Sequence, residues 1–150
     1  MDRITRRTLG AWVITCNPRR TDAVALLATG DAGGEWCVAP NYRSRLMGEG
    51  QPVLLWVSNA SGAHPTRGFW GLGTVLGPAV DMHDPHDRRL HVPTRIRTFD
   101  EPLTAAECAV TAGLDALEVL RSPQQSNPSV ITADEWAVLG PIASARVGRS

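Results

Sequence analysis

Between Ala11 and Val80 the apolar residues come in short runs, and each run stops at or beside a proline, a glycine or an asparagine. "AWVITC" (11–16) ends at Asn17-Pro18, and "EWCV" (35–38) runs up to Pro40. "VLLWVS" (53–58) ends at Asn59, and "FWGLGTVLGPAV" (69–80) is punctured by Gly71, Gly73 and Gly77. Runs this short, rich in β-branched and aromatic residues, read as strands joined by turns. Glycine inside such a strand marks a bulge or a place where backbone or ligand comes close. "NASGAHPTRG" (59–68) is a long polar loop between two of them.

The helical signals are equally short. Thr21 or Asp22 is placed to cap a helix whose apolar face is Val24, Leu27 and Ala28, with Gly30 ending it. "NYRSRLMGEGQP" (41–52) reads as a helical turn and then a tight turn. "LHVPTRIRTF" (90–99) alternates Val92, Ile96 and Phe99 with His91, Arg95 and Arg97, and Pro93 marks it as an edge strand. Thr104 and Glu107 form a capping box that starts a helix, and Leu114 to Arg121 is a second helical piece beyond Gly113. "SPQQSNPS" (122–129) reads as a loop. Thr132 and Glu135 repeat the capping box before a last short helix that Gly140 stops. No repeat or heptad is visible, and no regular β-α-β alternation supports a doubly wound sheet. The expectation is a single α+β domain over residues 1–150, a small, partly closed barrel of about five to six strands flanked by short helices.

With 43% hydrophobic and 20% charged residues, the chain can bury a core, so extensive disorder is not expected. Formal net charge is zero, which excludes a globally basic nucleic-acid binder; an anionic partner needs a local patch. All fifteen basic residues are arginine. Codon bias in a GC-rich bacterial genome produces that composition as readily as selection for phosphate binding does. Cys16, Cys37 and Cys108 lie far apart with no C-x-x-C pair, which supports neither a zinc ribbon nor a redox motif. "MDRITRRTLG" is basic but is followed by no apolar h-region, and no apolar span of ~18 residues occurs. A reduced cytoplasm and no membrane are the expected setting.

Five tryptophans dominate the aromatics. Trp136, in the last predicted helix, suits core filling. Trp12, Trp36, Trp56 and Trp70 fall in predicted strands, where some of them can offer a face to a flat ring. Asn41 and Tyr42 follow Trp36, and Ser58 and Asn59 follow Trp56; amides and hydroxyls of this kind read the edge of a nucleobase or simply begin loops. Arg19, Arg20, Arg43, Arg45 and Arg67 are the candidate phosphate contacts, each by itself a plausible surface charge. "DMHDPHD" (81–87) holds His83 and His86 among aspartates, but Pro85 interrupts them and no further soft ligand is near in sequence, so a polar loop and no metal are expected. No hydrolase, P-loop or zincin motif is present, and no catalytic residue or cofactor is expected.

"AWVITCNP", "EWCVAPNYRSRL", "GEGQPVLLWVSN", "GFWGLGTVLGPAVD" and "VITADEWAVL", in this order, resemble the EVE domain of the PUA-like superfamily over nearly the whole chain. The resemblance implies a PUA-like β pseudo-barrel flanked by helices. It also implies a non-catalytic reader of a modified base in DNA or RNA, commonly modified cytosine, that takes the flipped-out base into an aromatic pocket. By that match the pocket residues are Trp12 and Asn17; Trp36, Asn41, Tyr42 and Arg45; and Trp56, Ser58 and Asn59. The chain departs from the pattern at Gln51, where the family has an acidic turn residue, at Pro40, where it has a basic one, and in the longer 59–67 loop. Zero net charge keeps a second class open: a pocket for a free nucleoside-like molecule. An RNA hydrolase reading needs a lysine or a carboxylate convergent with the pocket, and with no lysine in the chain the lysine version is disfavoured.

Overall fold

The computed structural model describes residues 3–122 and 127–147; part of the predicted 122–129 loop lies outside them. The strands are β1 (Leu9–Cys16), β2 (Gly34–Val38), β3 (Pro52–Val57), β4 (Gly68–Val75), β5 (Val80–Asp81), β6 (Leu90–Thr104) and β7 (Ser129–Thr132). The helices are α1 (Ala23–Ala28), α2 (Ala105–Ala109), α3 (Glu118–Arg121) and α4 (Ala133–Arg146), with a 3-10 turn at Ser44–Leu46. The strands form one mixed sheet in the order β2-β6-β4-β3-β1-β7, with β5 beside β6, curled into a half-barrel. The α+β architecture follows the sequence expectation.

At its centre β1 and β3 run parallel, Trp12 opposite Val53 through Cys16 opposite Val57. Because successive side chains of a strand point to opposite faces, this pairing sorts the core into two halves. Trp12, Ile14, Cys16, Val53, Leu55 and Val57 pack on one face with α1, the 3-10 turn and Val38 of β2. Ala11, Val13, Leu54 and Trp56 pack on the other with α2, α3 and α4.

Several local expectations hold for the reasons given. Asp22 caps α1, its Oδ1 accepting from the Ala25 N–H at 3.1 Å. Both capping boxes are formed, Thr104 with Glu107 and Thr132 with Glu135. Three expectations need correction. Val24 is exposed, and Ala23, Leu26 and Leu27 make the inward face of α1.

Pro93 is not on an edge. Its strand, β6, lies between β2 and β4. The Pro93 carbonyl accepts from Leu76 N–H, just past the end of β4. A residue of an antiparallel strand directs both backbone groups to the same side, so the missing donor falls where no strand requires it.

Gly140 does not stop α4, which continues through Pro141 to Arg146. Gly140 is buried, and a Cβ there would lie 3.2 Å from Trp136 Cε2, so the glycine makes room for the indole. The pairing of β7 with β1 was not foreseen, since its four residues run directly into the second capping box.

Gln51, the departure from the acidic turn residue, has a defined task. Its Oε1 accepts from Trp12 Nε1 and from Gly48 N–H, both at 2.7 Å, while its Nε2 donates to the Leu46 carbonyl at 2.9 Å. A carboxylate cannot make that third bond.

Gly73 faces the β6 backbone so closely that a Cβ would lie 1.6 Å from the Arg95 carbonyl oxygen. Gly77 would meet only Pro93 Cγ at 3.6 Å. Gly73→Ala is therefore expected to cost ~3 kcal/mol or more, lowering the thermal midpoint by roughly 6–12 °C, with Gly77→Ala near neutral. Differential scanning calorimetry of the two variants checks the contrast.

Candidate nucleic-acid interface

The parallel pair ends together. Cys16 and Val57 are the last partners, so Asn17-Pro18 and Ser58-Asn59 leave the sheet side by side. The Ser58 N–H donates to the Cys16 carbonyl at 3.0 Å and ties the two exits. Two open clefts flank this junction, and Asn17 and Ser58 line both.

One cleft, of about 680 Å³, has Trp36 as its aromatic wall, with Thr15, Thr21, Glu35, Cys37, Arg20 and Arg89 around it. Trp36 is partly buried against the core, and its Nε1 donates to the Ala32 carbonyl at 3.0 Å, so the indole N–H is already engaged. Asn127 supports the floor from β7's approach: its side chain accepts from Thr15 N–H at 2.7 Å and donates to the Thr15 carbonyl at 3.2 Å, as a paired strand would. Asn17 Oδ1 accepts from Arg19 N–H at 2.9 Å, and its Nδ2 has no protein partner among the described residues. The other cleft, of about 940 Å³, carries no aromatic ring; Arg19 and Arg67 give it its charge, and the 59–62 loop and α2 its walls.

These positions redistribute the residues expected to form one pocket. Asn17, Ser58, Trp36 and Arg20 come together in the aromatic cleft, and Arg19, Asn59 and Arg67 in the basic one. Trp56 joins neither. It is 2% exposed on the helix-covered face, in edge contact with Phe69 at 4.6 Å between centroids, and the Arg67 guanidinium lies 5.7 Å over its ring. Trp12 is fully buried on the opposite face, so the two rings cannot wall a common pocket. Asn59 is engaged in its own loop: Nδ2 donates to the Pro65 carbonyl at 2.8 Å and Oδ1 accepts from Ala60 N–H at 3.0 Å.

The 41–45 segment is structural. Asn41 Oδ1 accepts from Arg43 N–H at 3.0 Å and Ser44 N–H at 3.2 Å, which caps the 3-10 turn. Tyr42 lies under Arg3, 4.0 Å from guanidinium to ring centre, and hydrogen bonding with Arg43 lowers the pKa of its phenol. Arg43 is no phosphate contact. Its two terminal nitrogens donate to the Glu118 carboxylate at 2.6 and 2.8 Å, and Glu118 also accepts from the Val130 N–H at 3.2 Å. That pairing holds the Arg43 guanidinium even more firmly protonated than usual. Arg45 is exposed and lines neither cleft.

Glu35, Cys37 and Arg89 were not singled out as site residues. Glu35 and Cys37 stand two apart around Trp36, and strand alternation puts them on a common face; Arg89 offers no comparable signal. The 81–87 loop is polar as expected. Asp81, Asp84 and Asp87 each accept from the backbone N–H two residues on, at 2.7, 2.8 and 3.0 Å, and His83 and His86 are exposed. Among the described residues no helix is long and apolar enough to cross a membrane.

No protein-family model matches the chain, and no curated protein matches it. Solved structures do share its fold. A hypothetical protein from Leishmania major matches with a TM-score of 0.67 at 18% identity, over 91% of this chain and 96% of that one. A Rhodopseudomonas palustris protein solved by NMR matches with a TM-score of 0.66 at 19% identity, over 91% and 94%. The DUF55 domain of human thymocyte nuclear protein 1 matches with a TM-score of 0.61 at 17% identity, over 89% and 98%. The chain therefore shares their fold, an α+β arrangement of one curled mixed sheet flanked by short helices.

The thiols differ in access. Cys16 and Cys108 are buried, and burial pushes the Cys108 thiol up to about 12 and raises that of Cys16. Cys37 is partly exposed on the cleft wall. In the folded protein with EDTA at pH 8, iodoacetamide is expected to label Cys37 first, with Cys16 and Cys108 reacting only on unfolding; peptide mass spectrometry reads the order.

Proposed function

We propose that this chain is a non-catalytic, EVE-type nucleic-acid-binding domain that takes a modified base, modified cytosine among the candidates, into the Trp36 cleft. The observation that carries the reading is the shared junction. Asn17 and Ser58 border an aromatic cleft on one side and an arginine-lined cleft on the other, so a base and its adjoining phosphates fit at once. The base stacks on the Trp36 face. Asn17 Nδ2 supplies a donor to its edge, and Ser58 Oγ, whose hydroxyl donates to the Cys16 carbonyl at 3.4 Å, supplies an acceptor. Arg19, Arg20 and Arg67 meet the backbone; Arg19 and Arg20 are exposed and have no ion-pair partner among the described residues.

The energetics are compatible. Extruding a base costs a few kcal/mol, stacking on an aromatic ring returns roughly 1–3 kcal/mol, and phosphate contacts supply the remainder in a salt-dependent way. With zero net charge on the chain, long-range attraction contributes little, so binding should be strongest at low salt.

Fluorescence anisotropy with oligonucleotides carrying unmodified or modified cytosine tests the reading. At low salt a modified strand is expected to bind more tightly than its unmodified counterpart. Trp36→Ala should weaken it by about 5- to 150-fold, the equivalent of 1–3 kcal/mol. Arg19→Ala should weaken all sequences alike and reduce the slope of log K against log salt by about one. No preference for any modified strand, or a preference that survives Trp36→Ala, overturns it. Thermal stabilisation by free nucleosides without oligonucleotide binding would favour a small-molecule pocket instead.

A further inference from the structure

We propose that Cys37, Asp87 and His91 form a binding site for a divalent metal ion of the zinc type, set in the wall of the Trp36 cleft. Cys37 of β2 and His91 of β6 are direct cross-strand partners, so their side chains leave the sheet on the same side. Asp87, four residues before His91, is brought to them by the loop that returns from β5. The Cys37 Sγ lies 3.9 Å from His91 Nε2, and Asp87 Oδ2 lies 3.7 Å from the same nitrogen. All three ligand atoms fall within 4.8 Å of one another. A tetrahedral zinc ion with ordinary Zn–S, Zn–N and Zn–O bonds has ligand–ligand edges of roughly 3.3–3.6 Å, so the two edges at His91 Nε2 close with shifts of a few tenths of an ångström, and the sulfur–carboxylate edge with a rotation of about 1 Å or less.

Without metal, His91 stands between two carboxylates, Glu35 at Nδ1 and Asp87 at Nε2, each at 3.7 Å, and the Cys37 sulfur is the group that such a charge network leaves over. A protonated Nε2–H of His91 can point at only one acceptor, yet both the thiol sulfur and the carboxylate oxygen converge on that nitrogen. Convergence of soft sulfur, imidazole nitrogen and carboxylate oxygen on one point is what a shared borderline cation requires. Calcium and magnesium, which take oxygen donors, do not suit the set.

The surrounding groups are those that tune a metal-bound histidine and carboxylate. Glu35 Oε2 lies 3.7 Å from His91 Nδ1, which favours the tautomer that keeps the proton on Nδ1 and the lone pair on Nε2. Arg89 holds the Asp87 carboxylate through three bonds, its backbone N–H and Nε donating to Oδ1 at 3.0 and 2.8 Å and a terminal nitrogen to Oδ2 at 2.9 Å, which leaves a lone pair on Oδ2, the oxygen that faces His91. A thiolate and a carboxylate balance the charge of the ion, and three protein donors leave a fourth position to water. Glu35, Cys37 and Arg89 also line the aromatic cleft, so the ion would tie β2, β6 and the 82–89 loop together at its edge. The inference does not depend on base binding.

Titration of the EDTA-treated full chain with Co²⁺, followed by displacement with Zn²⁺, tests it. The expected result is one Co²⁺ per chain with a thiolate-to-cobalt charge-transfer band, which Zn²⁺ abolishes. Cys37→Ser should remove the band while Cys16→Ser and Cys108→Ser keep it. His91→Asn and Asp87→Asn should weaken binding at least ~10-fold, and Glu35→Gln by about 10-fold, the usual effect of losing a supporting partner. Zn²⁺ should also protect Cys37 from iodoacetamide in the wild type and not in Asp87→Asn. Asp87 lies outside both core clusters, so that variant remains informative if the β2 or β6 variants fail to fold. Absence of stoichiometric metal, a charge-transfer band that persists in Cys37→Ser, or undiminished affinity in both His91→Asn and Asp87→Asn overturns the proposal.

Discussion

The parallel pairing of β1 with β3 is the constraint from which the rest of the arrangement follows. Two strands joined by a long connection can lie side by side in parallel only if that connection carries the chain back to the starting end. Here residues 17–51 do so, and they contain α1, β2 and the 3-10 turn. The register then assigns alternate residues of both strands to opposite faces. It sends Trp12 to the face that α1 and β2 cover and Trp56 to the face that α2, α3 and α4 cover. It also brings Asn17 and Ser58 out of the sheet at one place, between two clefts.

Around that junction the arginines divide by environment. Arg43 is drawn into a two-bond pair with Glu118, whose carboxylate also holds the β7 backbone at Val130, so this pair fastens α3, β7 and the 41–46 turn to one another. Removing one partner from such a half-buried pair leaves a charge with poor solvation, which is why the site works as a structural tie. Arg67 donates to the Val119 carbonyl at 3.3 Å and covers the Trp56 ring, keeping one side toward the basic cleft. Arg19 and Arg20 stay exposed, one beside each cleft. Arg19, Arg20 and Arg67 thus border the clefts beside the β1 and β3 exits, on a chain whose formal net charge is zero.

Much of the local structure was legible because it depends on neighbours in sequence. The caps of α1, α2 and α4 need only a side-chain oxygen and a backbone N–H three residues on; those of α2 and α4 were read as they stand, and that of α1 was narrowed to Thr21 or Asp22, of which Asp22 is the cap. The short apolar runs announced β1 to β4, since their punctuation by proline and glycine forbids longer elements. Pro93 and Gly140 misled for the opposite reason. Each carries a strong local preference that a distant partner overrides: the end of β4 leaves no strand in need of a donor from Pro93, and the Trp136 ring needs the space at Gly140. Of the residues that line the Trp36 cleft, Trp36, Asn17 and Ser58 were singled out by motif, whereas Glu35 and Cys37 are set there by the pairing of β2 with β6, which also brings Cys37 to His91 across 54 positions.

The sequence by itself determined the element types, their short lengths, the capping of the helices and the resemblance that named the fold, because these follow from period, punctuation and nearest neighbours. Tertiary structure decided which tryptophan faces a cleft, which arginine is free to meet an anion and which soft ligands share a corner. Those properties depend on register and on the side of the sheet a residue occupies. A displacement of one residue in pairing reverses the side, and no local pattern in the chain records which pairing closes the sheet.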